Sequence, residues 1–283
     1  MQAKCQVDMT YGDISKQLFM FTIPILLSQI LQQFYNIADT AIIGRYIGTD
    51  ALAAIGSTGL LISVIVNFFI GLSTGVSAVI ANQFGANEYD KLKKSISTSL
   101  AVSVLLGIVF TIGSLIFMKP IINILQTPKG VYSLAIDYLK ICFLGITFQL
   151  LYNIGTAILR ALGNTKDPLY FLIFSCILNL ILDILFIVYF GWGVKGAAIA
   201  TLISQILATL LVMYKIMSLD DNCKLSLKQI KIYRGYTKDI FLVGLPAGLQ
   251  AIFMSISSLI IQSSINSFGA EAMAGMTIFA KVE

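Results

Sequence analysis

The sequence predicts an all-α integral membrane protein, on three observations: its composition, the recurrence of long apolar windows, and two acids placed inside those windows. Of 283 residues, 57% are hydrophobic and only 12% charged, with a mean hydropathy of +0.88; a soluble domain carries about 25% charged residues. A helical span needs roughly 20 apolar residues, and such windows recur at 17–44, 54–82, 96–118, 132–159, 168–190, 196–216 and 238–266. They are continuous and too long for the tilted, alternating strands of about ten residues that build membrane barrels.

The first window carries Pro24 and a polar stripe, Gln29, Gln33, Asn36 and Thr40, whose spacing puts all four on one helical face. Lipid offers such a stripe nothing, so it is expected to line a cavity or a packed interface. Asp39 sits beside it. The second window holds Gly71 and Gly75, the Gly-x-x-x-Gly spacing of a close helix contact. The fourth brings Tyr138, Phe148, Tyr152 and Asn153, and with Tyr35 of the first it offers aromatic faces on which a planar cation can stack; Lys140 is expected to snorkel to the interface. In the fifth, Asn179 and Asp183 lie one turn apart on the same face. Trp192, an expected interfacial anchor, precedes the sixth window, which contains Thr201.

Basic residues fall unevenly on the two sides. One side holds Lys4, Lys16, Lys91, Lys93, Lys94, Arg160, Lys166 and the run Lys215, Lys224, Lys228, Lys231, Arg234, Lys238; the other holds Arg45, Lys119, Lys129 and Lys195. The heavier side is expected to be cytosolic, with the N-terminus inside and the chain multi-pass in the cell membrane. The 215–238 cluster is diluted by Asp220, Asp221 and Asp239 and suits an inter-helix loop better than a nucleic acid. No small-residue cleavage site comes after Lys4 and Lys16, so a removed signal peptide is not expected. With a rise of ~1.5 Å per residue, Asp39, Asp183 and Thr201 all fall roughly 8–10 Å below the outer boundary, with Asn179 one turn deeper.

Histidine is absent, which removes the commonest general base and transition-metal ligand. Cys5, Cys142, Cys176 and Cys223 are scattered without a Cys-x-x-Cys pair and read as free thiols. There is no nucleophile with a recognisable base and no phosphate loop, so an enzyme is not expected, nor any cofactor. What is left is an ionisable pair inside a bilayer, which by default marks function.

The chain also repeats itself. Phe19–Met20–Phe21–Thr22–Ile23–Pro24 matches Phe241–Leu242–Val243–Gly244–Leu245–Pro246 at an offset of 222, and 47–54 matches 268–275 at an offset of 221. Six windows separate the copies, so both enter the membrane in the same direction, the parallel repeat of transporters whose halves rock about a central site. The stripe recurs as Ala251, Ser255, Ser258 and Gln262, whereas Asp39 aligns with Ile261. The expected division is a six-helix lobe with the start of the inter-lobe loop over 1–222, and the rest of that loop, a seventh helix and the opening of an eighth from Ala272 over 223–283.

From about residue 14 onward these words, in this order, resemble the multidrug and toxic compound extrusion (MATE) family: YNIADTAIIGRYIG with DALAAIG, ANQFGANEYDKLKKS, ILQTP at 124–128, ILRALGNTKDPLYF at 158–171, LNLILDILFIVYFGWGVKGAAIATLISQ at 178–205 and VGLPAGLQ at 243–250. The resemblance implies two six-helix lobes around a central cavity and export of amphipathic or cationic compounds driven by a cation gradient, H⁺ or Na⁺. It implies an N-lobe ion site at Asp39, Asn179, Asp183 and Thr201, where Na⁺ is one candidate ligand, and a first-helix hinge at Pro24. Some relatives carry a seventh-helix acid instead; the corresponding place here is Met254. The substrate cavity is expected to draw on Gln33, Asn36, Tyr35, Tyr138, Asn153, Ser255, Ser258 and Gln262. Neutralising the acid pair is expected to remove its repulsion and let the first helix bend at Pro24, where the backbone lacks an N–H. The partners implied are small amphipathic or cationic substrates, the lipid bilayer and the missing second-lobe helices, since the family runs to twelve and this chain shows seven and the start of an eighth. A lipid-linked oligosaccharide or peptidoglycan-precursor flippase is the alternative within the same architecture; it calls for basic residues along the cavity to meet a pyrophosphate, and the stripe is neutral and acidic. A non-transporting membrane module is the alternative from another class.

Overall fold

In the computed structural model, residues 13–124, 129–219, 223 and 231–266 are described. Among them are seven long helices and no strand: α1 (Ile14–Tyr46), α2 (Thr49–Gly85), α3 (Tyr89–Ile124), α4 (Lys129–Ala161), α5 (Lys166–Asp183), α6 (Gly193–Met217) and α7 (Arg234–Asn266). A π-helical segment, Ile184–Tyr189, prolongs α5. Each helix is long and apolar enough to cross a membrane, and the chain is a multi-pass membrane protein. The expected eighth helix lies outside the described residues, as do the side chains of Ser258 and Gln262.

Every helix begins before its apolar window, because polar residues extend it at the N-terminal end. At the start of α1, Asp13 accepts from the Ser15 N–H at 3.0 Å, filling one of the donors a helix leaves open at its first turn. α3 begins seven residues before its window, where Lys91 pairs with Glu88 at 2.7 Å. Between the π segment and α6 the chain turns through Gly191 and Gly193, both in the left-handed region (φ +65° and +57°), where a side chain costs energy and glycine does not.

The core lies among α2, α3, α4 and α6, where Phe69, Leu72, Ile80, Ile96, Leu139, Leu150 and Ile154 are buried. A smaller cluster, Ile43, Ala51, Ile187, Val194 and Ala197, gathers the end of α1, the start of α2, the π segment and the start of α6 at one end of the bundle. The other end is the basic one. There Lys215 of α6 pairs with Asp167 of α5 at 2.9 Å, and Asn164 donates to Asp167 at 2.6 Å. Outward faces of α1 and α3 present Leu26, Ile30, Phe34, Leu105, Val109 and Ile116, all exposed, as lipid requires.

Hydroxyls in the spans mostly bond back to their own helix: Ser28 to the Pro24 carbonyl at 2.7 Å, Ser99 to Ser95 at 2.8 Å and Ser204 to Ala200 at 2.8 Å. α1 runs through Pro24 without a break, and α7 does the same through Pro246.

α7 lies along α2, antiparallel to it and closer than side chains allow. A methyl added at Gly71 runs into the backbone of Gly248, and one at Gly75 into that of Gly244. In a bilayer, where lipid tails are as apolar as the side chains, helices gain chiefly from such backbone-to-backbone packing. Further along, Asn67 donates to Ser255 at 2.8 Å. At the basic end Ser97 of α3 holds Lys231 twice, donating to its carbonyl at 3.1 Å and accepting from its N–H at 2.8 Å. The stripe residue Ser255 is thus engaged in a helix contact.

Gly75→Leu, which inserts four carbons where a single one has no room, is expected to push α7 off α2 at a cost of about 1–3 kcal/mol. Cysteines placed by Asn67→Cys and Ser255→Cys crosslink readily in the parent; the Gly75→Leu variant loses that crosslink, while Gly59→Leu, on an open face of α2, keeps it.

Candidate functional site

Three helices meet at the two intramembrane acids. Asp183 is the last residue of α5 and Asn179 precedes it by one turn; the two are 0% and 1% exposed, at a depth where an ionised group has no water. With its amide nitrogen turned to the acid, the orientation that satisfies both neighbours, Asn179 donates to Asp183 Oδ2 at 2.7 Å and accepts from the Thr201 N–H at 3.1 Å. α6 thereby joins α5. From α1, the Asp39 carboxyl lies against that of Asp183, and Tyr35, one turn before Asp39, lies beside the Thr201 side chain.

One oxygen of each acid, Asp39 Oδ1 and Asp183 Oδ1, is buried with no donor. Two carboxylates held together away from water repel unless something positive sits between them. Chemically, such a pair can accept a proton or a small hard cation, with further oxygens nearby on Thr201 and Tyr35. Among the described residues no three His, Cys, Asp or Glu side chains cluster as they would for a transition metal.

The π segment starts at the residue after Asp183. Its wider turns close with Phe190 N–H on the Leu185 carbonyl at 3.0 Å. They bring Phe186 into a stack on Trp192, with centroids 5.0 Å apart and planes 17° from parallel, and both rings touch Phe190. A single π turn shifts the side chains beyond it relative to those before it, so Asp183 and Phe186 are set at different faces: the acid toward α1, the ring toward the start of α6. Nothing in the uniformly apolar run Ile184–Phe190 announces this.

The other residues expected at the site are dispersed. Gln33 and Asn36 are exposed on a different face of α1 from Tyr35 and Asp39, which gives α1 two polar faces where the spacing suggests one. Tyr138 lies inside the bundle beside Cys142, one turn on. Asn153 is inward on α4 with its Nδ2 buried and unpartnered. Pro24 is buried, and Met254 is exposed on α7. Sequence reasoning overlooked the proximity of Tyr35 to Thr201, and it overlooked Gln205. The signal for Gln205 is its position one turn after Thr201.

Compared with known proteins, residues 24–185 match the MatE family model. The chain is 30% identical over 275 residues to the probable multidrug resistance protein YoeA of Bacillus subtilis, covering 94% of this chain and 59% of that protein. Its fold superposes with a TM-score of 0.88 and 29% identity on a MOP superfamily transporter from Pyrococcus furiosus, over 96% of this chain and 60% of the other. It superposes with a TM-score of 0.87 and 30% identity on the outward-facing conformation of a multidrug resistance MATE family transporter, over 94% and 59%. The chain spans about three fifths of the length of these relatives.

Thr201→Val removes the hydroxyl that lies beside Asn179 and Tyr35 at the acid site, leaving polar groups there without a neighbour at a cost of about 1–3 kcal/mol. Thermal unfolding of the purified chain in detergent is expected to show a lowered midpoint for Thr201→Val. Thr40→Val, at an exposed hydroxyl that bonds only its own helix, stays within about 0.5 kcal/mol.

Proposed function

The chain belongs to the MATE family, and from that premise we propose that it forms the ion-coupled lobe, with the first helix of a second lobe, of an antiporter that exports amphipathic or cationic compounds. The observation that carries this is the Asp39–Asp183 pair, two acids from different helices with oxygens that lack donors. Asp39, Asn179, Asp183 and Thr201 are the coupling site, and H⁺ or Na⁺ is the ion. The N-terminal end is cytosolic, as the excess of lysines and arginines on that side argues, and the inter-lobe division falls near residue 222.

Ion and helix are linked through α1. This helix leans mainly on α5, and its polar contacts with α5 and α6 run through Asp39 and Tyr35. With a cation between the carboxylates, α1 is drawn to α5 and α6; without it, like charges held side by side push α1 away. Pro24 lies on the N-terminal side of both contacts and leaves the Met20 carbonyl without its helical donor, so the helix bends there when neutralising the pair removes the repulsion. A changed position of α1 reshapes the cavity that its other polar face, Gln33 and Asn36, borders. Emptying the site and releasing the substrate are then alternatives imposed by one helix.

Two experiments test the proposal. Trp192 is the single tryptophan, and it stacks on the ring set by the π turn next to Asp183. Its fluorescence is expected to respond to NaCl or to acid, not to choline chloride at constant pH, and Asp183→Asn is expected to abolish that response. In cells that also receive the remaining helices, Asp39→Asn is expected to cut ion-driven efflux of a fluorescent cation at least ten-fold. Undiminished efflux in that variant sinks the coupling role.

A further inference from the structure

Beside Thr201, among α2, α4 and α6, lies a cavity of about 120 Å³ whose walls at Tyr138 and Cys142 come within electrostatic reach of Asp39. Its wall is largely apolar, with Ile62, Val66 and Phe69 from α2, but four polar side chains enter it: Tyr138 and Gln149 from α4, Thr201 and Gln205 from α6. An apolar cavity of about 150 Å³ stays dry, whereas a cavity takes water when each molecule finds two to four polar partners. At about 30 Å³ per molecule this one has room for about four. Gln205 Nε2 is buried with no partner in the protein, as a side chain is when its partner is solvent.

The polar lining does not stop at the cavity. Tyr138, Cys142, Gln149, Asn153 and Arg160 succeed one another at intervals of four, seven, four and seven residues, which keeps them on one face of α4. Asn153 Nδ2 and Arg160 Nε, past Gln149 toward the basic end, are buried and unpartnered like the amide of Gln205. Tyr138 to Gln149 alone covers about 16 Å along the helix.

We infer that this space is a water-filled chamber, bounded by Tyr138, Gln149, Thr201 and Gln205, that connects the Asp39–Asp183 pair to the basic end of the bundle through the interior of the lobe. Thr201 stands at their boundary: its N–H donates to Asn179, its side chain lies beside Tyr35, and it lines the chamber together with Tyr138 and Cys142, which come near Asp39. The coupling ion, or the proton that replaces it, exchanges with water on the basic side along α4, while the substrate keeps to the exposed face of α1. That the pair holds an ion rests on the function proposed above; the water does not.

Cys142 lines the chamber and supplies a native probe. The full chain in proteoliposomes is treated with 2-aminoethyl methanethiosulfonate, a small cationic thiol reagent, from one side, with free cysteine on the other to quench any reagent that crosses; modification of the Cys142 peptide is monitored by mass. Labelling is expected from the basic side and slower by at least five-fold from the opposite side. Gln149→Leu/Gln205→Leu, which removes two of the four polar groups, and independently Gly145→Leu, which fills the space, each slow it at least five-fold, with Cys176 on α5 labelled as in the parent. Cys142 that stays inert in the parent while it reacts fully after denaturation means a dry cavity and overturns the inference. Equal labelling from both sides, or unchanged labelling in Gly145→Leu, overturns the route. A Trp192 response to Na⁺ or acid that persists in any of these outcomes leaves the coupling site standing and removes only the chamber.

Discussion

The structure turns on the meeting of Asp39 and Asp183. In a bilayer a lone ionised carboxylate is among the costliest side chains to place, and two facing one another are tolerated only when a positive species is shared. Everything near them supports that contact: Asn179 fixes one oxygen of Asp183, Thr201 fixes Asn179, and Tyr35, on the helix of the first acid, lies beside the threonine. The π segment ends α5 at the acid and anchors the turn into α6 through the Phe186–Trp192 stack. Three helices are thus joined by a contact whose sign depends on the species that occupies it.

Elsewhere the bundle is held by interactions of fixed sign. α2 and α7 approach through paired glycines, so their contact is dispersion between backbones and is indifferent to ions. Most span hydroxyls satisfy themselves on their own carbonyls, which leaves few inter-helix hydrogen bonds: Asn67–Ser255 and Thr111–Thr147 are examples. The α2–α7 seam, whose packing is indifferent to charge, contrasts with α1, which meets α5 through a pair of acids: one contact has a fixed sign and the other follows the charge on the pair.

The polar stripe of the first helix shows how far spacing reaches. Gln33, Asn36 and Asp39 lie within seven residues, and a helical wheel separates them only partly; in the structure Asp39 turns inward with Tyr35 while Gln33 and Asn36 stay exposed. Tyr35, read from sequence as an aromatic surface for a substrate, lies among Asp39, Asp183 and Thr201. Ser255, read as the stripe's counterpart, makes its contact with Asn67. Each difference has the same cause: periodicity names a face of a helix, but the neighbour across from that face is chosen by packing.

Composition and window length alone determined that this chain is a multi-spanning helical membrane protein, because the cost of unpaired backbone in lipid leaves no other solution for continuous apolar runs of that length. The positions of the acids within their helices and the Gly-x-x-x-Gly spacing were equally legible, since each depends on residue identity and helical periodicity. Tertiary structure decided which carboxyl oxygens lack donors, where α5 gives way to a π turn, that Gly71 and Gly75 oppose Gly248 and Gly244, and that a cavity lies beside Thr201. Those depend on the rotation and separation of helices far apart in the chain, set by the summed fit of many weak contacts, which no local pattern of residues encodes.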